Sequence, residues 1–272
     1  MRVLLASPLG FLIGLSLGAL GGGGSILAVP VLVYAAGQDA RAATATSLFL
    51  VGTAALVGMV AHFRAGRVRL GTGLAFGLAG IGGSLAGTAV NHRLDPDVLL
   101  LGFSGLVLIA AWRMLTGCPT CTQVGERLEL QKAAGSEGRG LLTRTRLDAG
   151  IVVTVLVVGT GVGFLTGLFG VGGGFVIVPA LALALKLPMP EAIGTSLLVI
   201  AVNSAVALTA RLGSSRIEWA VAMPFTLAAV GGVVVGGRIA DRLDAERSLR
   251  WFAALLVAVA VYTASRAVLA LT

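Results

Sequence analysis

Two glycine runs, Gly21-Gly22-Gly23-Gly24-Ser25 and Gly170-Val171-Gly172-Gly173-Gly174, sit inside stretches that are otherwise apolar. Glycine has no Cβ, so backbone built from it can unwind and come close to a ligand. An unwound stretch leading into a helix presents free N–H groups, and the positive end of the helix dipole adds to them. Together these can hold a small anion without a charged side chain. The alternative for any glycine is tight helix packing, which asks for spaced rather than consecutive glycines. Gly14-x-x-x-Gly18, Gly83-x-x-x-Gly87, Gly163-x-x-x-Gly167 and Gly232-x-x-x-Gly236 are spaced and read as packing faces. The consecutive runs read as a ligand site.

Hydroxyl pairs come next. Thr46-Ser47 and Thr195-Ser196 stand near the starts of two apolar segments. A single Ser or Thr there could simply bond back to a carbonyl of the preceding turn, but the paired occurrence makes a ligand role as good an account. Asn203, two turns beyond Ser196, adds an amide inside the same segment.

Other chemistries are excluded by what is missing. The acidic residues, Glu191 and Glu218 among them, fall at segment ends or in connections, so no buried carboxylate marks an ion pathway. His62 and His92 lie at boundaries and read as interfacial residues. No His/Cys/Glu set has metal-ligand spacing, no Ser-His-Asp candidate set stands at membrane depth, and no Lys follows the Gly-rich runs as a phosphate loop requires. The expectation is therefore no enzyme, no metal and no cofactor. Cys118 and Cys121, in Cys-Pro-Thr-Cys, are too few for a structural zinc site. They are either incidental loop thiols or a dithiol relay.

The glycine runs belong to a larger pattern. Residues 14–106 reappear without a gap as residues 163–255. Gly14, Gly18, Gly21, Gly23, Gly24 and Pro30 match Gly163, Gly167, Gly170, Gly172, Gly173 and Pro179. Thr46-Ser47-Leu48 matches Thr195-Ser196-Leu197, and Arg93-Leu94-Asp95 matches Arg242-Leu243-Asp244. With 57% hydrophobic and 12% charged residues, the chain is too poor in charge for a soluble domain. The net charge of +8 does not imply nucleic acid, because the Arg residues lie between apolar segments, where they set orientation in a bilayer.

Apolar segments run at about 8–36, 42–62, 70–90, 97–115, 149–187, 191–210, 217–237 and 248–271. A crossing takes about 20 residues. The first and fifth exceed this, and each is split by its glycine run into pieces of about a dozen residues, which rise only ~18 Å, to about the midplane. Irregular backbone at that depth must line protein or a water-filled cavity. Pro30 and Pro179 fit near the starts of the second pieces. The N-terminal apolar run resembles a signal peptide, yet its glycines are half of the repeat, so it is read as retained.

The expected fold is an all-α polytopic membrane protein with two four-segment repeats, the first segment of each broken or re-entrant at its glycine run. Residues 1–115 form the first transmembrane repeat, 116–148 a linker and 149–272 the second repeat. The positive-inside rule puts the linker in the cytoplasm whether the repeats are parallel or inverted. Inverted repeats are the expectation, since broken helices meeting at the midplane go with that plan. Localisation would be the inner (plasma) membrane.

The ordered motif set resembles the sulfite exporter TauE/SafE family of membrane permeases. The features that carry the resemblance are the doubled Gly-x-x-x-Gly-x-x-Gly-x-Gly-Gly plus Pro pattern, Ala43–Leu48 with Ala192–Leu197, the Gly-Gly-x-x-x-Gly third segments and the central linker. It implies a secondary transporter, an exporter, for a small sulfur-containing anion such as sulfite, an organosulfonate or thiosulfate. Ser25 against Gly174 makes the two half-sites unlike. The expected anion site comprises Gly21, Gly22, Gly23, Gly24, Ser25, Thr46, Ser47, Gly170, Gly172, Gly173, Gly174, Thr195, Ser196 and Asn203. Alternating access would come from rocking of one repeat against the other. The expected partners are a small-molecule anion and the lipid bilayer, with no nucleic acid and homodimerisation left open. The alternative is a membrane scaffold or a sulfur-relay component using Cys118 and Cys121.

Overall fold

The computed structural model describes residues 2–34, 36–38, 40–91, 149–169, 174–185, 187–211 and 217–240, with scattered positions in 102–112 and 250–261. These form α1 (Arg2–Leu20), α2 (Gly24–Tyr34), α3 (Ala40–Arg64), α4 (Leu70–Asn91), α5 (Ala149–Phe169), α6 (Gly174–Pro179), a π-helix (Ala180–Ala184), α7 (Met189–Arg211) and α8 (Trp219–Ala240). No strand occurs among the described residues. The linker 116–148 with Cys118 and Cys121, and most of the expected spans 97–115 and 248–271, lie outside them.

Ala42–Arg64, Leu70–Val90, Met189–Thr209 and Trp219–Ile239 are long and apolar enough to cross a membrane. Their outer faces carry exposed Leu56, Leu78, Leu85 and Leu227, whereas Thr46, Ser47, Thr195 and Ser196 are buried. Apolar side chains facing out and hydroxyls facing in suit a bundle solvated by lipid.

α1 stops at Leu20 because Gly21 takes φ +80°, a left-handed position that ends a helix without a Cβ penalty. Its N–H still reaches the Leu17 carbonyl at 2.9 Å. α2 then folds back along α1, and a Cβ built on Gly24 would overlap the Ile13 carbonyl and lie 2.9 Å from Leu17 N. Gly37, at φ +70°, closes the return, so that Gln38 N–H reaches the Leu32 carbonyl. The counterpart bond, from Leu187 N–H to the Leu181 carbonyl, closes the second return.

Two details differ from expectation. The first arms are longer than half-helices, 19 residues in α1 and 21 in α5, against 11 in α2. No charge or glycine interrupts Val3–Ser7, so the helix continues upstream through Pro8 to Arg2. Nor do Pro30 and Pro179 open the return helices, which begin earlier, at Gly24 and Gly174. Pro179 instead closes α6; it has no N–H to return to the preceding turn, and the chain continues with π geometry.

Spaced glycines bring helix backbones together. On α1 and α8, added Cβ atoms at Gly14 and Gly18 would overlap the Ala229 and Val233 carbonyls, and those at Gly232 and Gly236 the Phe11 and Leu15 carbonyls. On α4 and α5, Gly83 and Gly87 meet Thr160 and Phe164, while Gly163 and Gly167 meet Gly80 and Ser84. Numbering rises together in both pairs, so each runs parallel. Across α3 and α7 it runs oppositely, with Gly52 against Ser204, Gly58 against Leu197 and Gly194 against His62. That pair is antiparallel.

Candidate anion site at the hairpin tips

The turn between α1 and α2 is wholly buried, from Gly21 through Ser25. A Cβ on Gly21 would lie 2.8 Å from Ser196 Oγ, 2.9 Å from Val178 Cγ2 and 3.3 Å from Ile193 Cα. One on Gly22 would overlap the Gly174 carbonyl, and one on Gly174 would lie 2.5 Å from Ser25 Oγ. The tip of the first hairpin therefore meets α6 and α7 backbone to backbone. Glycine here serves close approach as well as any ligand.

The polar groups at the tip are partly committed. Ser25 Oγ donates to the Gly22 carbonyl at 2.7 Å, Ser196 Oγ to Ile193 at 2.7 Å and Ser47 Oγ to Thr44 at 2.8 Å. A hydroxyl bonded back in this way offers only lone pairs to a visitor, and must rotate before it can donate to an anion. Among the described residues, the Gly22 and Gly23 N–H groups make no backbone hydrogen bond. They are the donors that stand at the break.

Not every expected residue gathers here. Gly21–Ser25, Gly174 and Ser196 come together, with Thr195 adjacent in α7. The antiparallel run of α3 and α7 puts Ser47 at the far end, roughly 20 Å along the helix axes from Ser196. Thr46 and Ser47 therefore stand apart from this group. Gly170, Gly172 and Gly173 of the second glycine run lie outside the described residues. Asn203 stands near the crossing of α3 and α7 but faces α4, its Oδ1 3.7 Å from a Cβ built on Gly77 and its Nδ2 3.8 Å from one on Gly80. That Oδ1 is buried without a hydrogen-bond partner.

A polar cluster that the sequence expectations lacked adjoins Thr195. α3 ends in a Schellman turn, with Gly66 N–H bonded to the Phe63 carbonyl and Arg67 N–H to that of His62, both at 3.0 Å. This turn carries Arg69 to the start of α7, where its Nε bonds the Glu191 carboxylate. Arg69 N–H donates to Thr195 Oγ1 at 3.1 Å. Glu191 is a buried acid and His62 a buried imidazole, not the boundary groups their sequence positions implied. The acid in the first turn of an apolar helix was visible; its partner, 122 residues away, was not.

At the other end of α3, Gln38 Nε2 donates to Glu218 Oε2 at 3.2 Å. Trp219 presses edge-on against Phe49, ring centroids 5.3 Å apart. No group of three or more candidate metal ligands occurs among the described residues.

A family model described as Sulfite exporter TauE/SafE matches residues 6–263. A probable membrane transporter protein of Xylella fastidiosa (strain 9a5c) is 32% identical over 256 residues, covering 93% of this chain and 91% of that one. The probable membrane transporter protein YunE of Bacillus subtilis (strain 168) is 26% identical over 249 residues, covering 89% and 85%. The probable membrane transporter protein MJ0441 of Methanocaldococcus jannaschii is 28% identical over 211 residues, covering 74% and 70%. No solved structure matches the chain.

Proposed function

The chain belongs to the sulfite exporter TauE/SafE family, and from that premise we propose that this multi-pass membrane transporter exports a small sulfur-containing anion such as sulfite, an organosulfonate or thiosulfate. One observation carries the site: the tip of the first hairpin, with its two unpaired glycine N–H groups, is pressed against Ser196 of the second half of the chain. An anion bound there would touch both halves, which is where a transporter built of two repeats holds its substrate. Gly22 and Gly23 would supply N–H donors, with the hydroxyls of Ser196 and Thr195 and the backbone of Gly174 around them. The counterpart half-site would pair Gly170, Gly172 and Gly173 with Thr46 and Ser47.

The repeats are inverted in this proposal. Its support is the antiparallel run of α3 against α7, and the return of each hairpin to the end where its first helix began. The linker is then cytoplasmic, in the plasma (inner) membrane, with both termini opposite.

Rocking of one repeat against the other needs revision. The closest packed seams, α1 with α8 and α4 with α5, each join a helix of one repeat to a helix of the other. Bodies that move as units would be these pairs, with the hairpin tips and α3/α7 between them. Shearing glycine-packed backbones apart is opposed by interlocked carbonyls and Cα atoms.

The test is uptake or efflux of labelled sulfite, sulfoacetate, thiosulfate and sulfate in proteoliposomes. Saturable movement of one sulfur anion with counterflow is expected. If none of these anions moves, the proposal is wrong.

A further inference from the structure

The two ends of α3 carry matching positions with opposite chemistry. Arg69 and Thr195 at one end are the repeat counterparts of Glu218 and Thr46 at the other. At the first end the protein supplies its own cation: the Arg69 guanidinium meets Glu191, and Arg69 N–H satisfies Thr195 Oγ1 at 3.1 Å. At the second end the chain offers an exposed carboxylate, that of Glu218, with an amide and a hydroxyl. Glu218 replaces the arginine, Ala42 stands at the counterpart of Glu191, and no cation pairs with Glu218 among the described residues.

The amide and hydroxyl oxygens there are buried and orphaned. A carboxylate only accepts hydrogen bonds, so Gln38 must turn its NH2 to Glu218, which leaves its Oε1, the other atom of the same amide, to find a different partner. Gln38 is 4% exposed and that Oε1 has no partner. Thr46 is 0% exposed, and its Oγ1 has none either. Phe49, one turn beyond Thr46 on the same face of α3, packs on Trp219, which places Thr46 beside the residues that open α8. The bond from Arg69 N–H to Thr195 is not repeated at the counterpart positions, where Thr46 Oγ1 is left without a partner. Buried acceptors without donors are expensive, and each asks for a ligand.

We propose that the junction of the α2–α3 connection with the start of α8 binds a monovalent alkali cation, Na+, through Gln38 Oε1, Thr46 Oγ1 and the Glu218 carboxylate. One carboxylate with neutral hard oxygens balances a single positive charge. Ca2+ takes six to eight oxygens and is held more strongly as carboxylates are added. Gln38 and Thr46 come from the first half of the chain and Glu218 from the second, so the ion bridges the two. In a transporter, the premise on which its coupling role rests, an ion held across the halves at one end favours the state closed at that end.

The test uses Na+ alone on the purified full chain, without any sulfur anion, so that its result stands apart from the flux assay. Binding of 22Na+ is measured in sodium gluconate against choline gluconate, alongside the thermal unfolding midpoint. Saturable 22Na+ retention and a midpoint that rises with Na+ but not choline are expected. Glu218→Gln and Thr46→Val should each weaken retention by about tenfold or more, as loss of a charged or buried ligand does. No saturable retention by the wild-type chain, or retention equally strong in both variants, overturns the site.

Discussion

Ser196 Oγ lies 2.8 Å from the point where a Cβ on Gly21 would stand, and Gly21 itself is held at φ +80°. The first hairpin therefore cannot gain a methyl group at its tip without both backbone strain and a clash in α7. Gly21→Ala should destabilise the protein by about 2 kcal/mol or more, the sum of left-handed strain and overpacking. Ser196→Ala removes a hydroxyl already bonded within its own helix, so stability should change by under about 1 kcal/mol. Anion affinity of the folded Ser196→Ala protein should nevertheless fall by roughly tenfold, the worth of one hydrogen bond to a charged group. Thermal unfolding and anion binding on purified variants separate the two effects. Unchanged affinity in Ser196→Ala would remove Ser196 from the site.

Gly232→Ala should behave differently. Its new methyl would run into the Phe11 carbonyl across the α1–α8 seam. Yield and unfolding temperature should drop, while the fraction that folds binds anion with nearly wild-type affinity. Loss of affinity at intact stability would mean that the seam belongs to the binding site.

Glu191 is 9% exposed on its side chain and Arg69 43%. Arg69→Gln leaves a carboxylate buried without its cation. A fully buried pair loses 3–5 kcal/mol on such a cut, but the half-exposed arginine is screened, so about 1–2 kcal/mol is expected. Denaturant or thermal unfolding of Arg69→Gln, with and without Glu191→Gln, checks this. The double variant should recover part of the loss, because no unpaired charge is left behind.

Replacing both Cys118 and Cys121 with Ser should leave anion flux within a few-fold of wild type. Complete loss of function at normal expression would favour the sulfur-relay alternative.

Reporter fusions test the orientation. A reporter placed after Lys132 should read as cytoplasmic and one after Thr272 as the opposite side. A cytoplasmic Thr272 would overturn the inverted arrangement and leave the linker assignment standing.

Much of the fold follows from local sequence. The apolar lengths mark α3, α4, α7 and α8 as crossings, and four consecutive glycines break the first segment at Gly21–Gly23. Spacing also separates the glycines that seat helix on helix from those at the tip. What local sequence does not carry is direction between distant helices. Thr46-Ser47 and Thr195-Ser196 are equivalent in their copies, so sequence alone groups them, whereas the antiparallel α3 and α7 hold them apart. Arg69 with Glu191, and Gln38 with Glu218, escaped for the same reason: each pair is made by packing between halves, and neither partner has a signature alone. His62 stood at the end of an apolar segment beside Arg64 and Arg67, which mimics an interfacial position, yet Gly194 of α7 packs closely against it.

The glycine seams bear on the origin of the chain. Gly14 and Gly18 find their cover on α8, and Gly163 and Gly167 find theirs on α4, so each copy shields the other's exposed backbone. A lone copy would have had nothing to lay against those glycines except a second molecule of itself, crossing in the opposite sense. On the inverted arrangement proposed above, the ancestor would be a small protein inserted in both orientations and working as an antiparallel couple. Duplication and fusion would have made that couple permanent and released its members from sameness. One end could then carry Arg69 where its twin position carries Glu218.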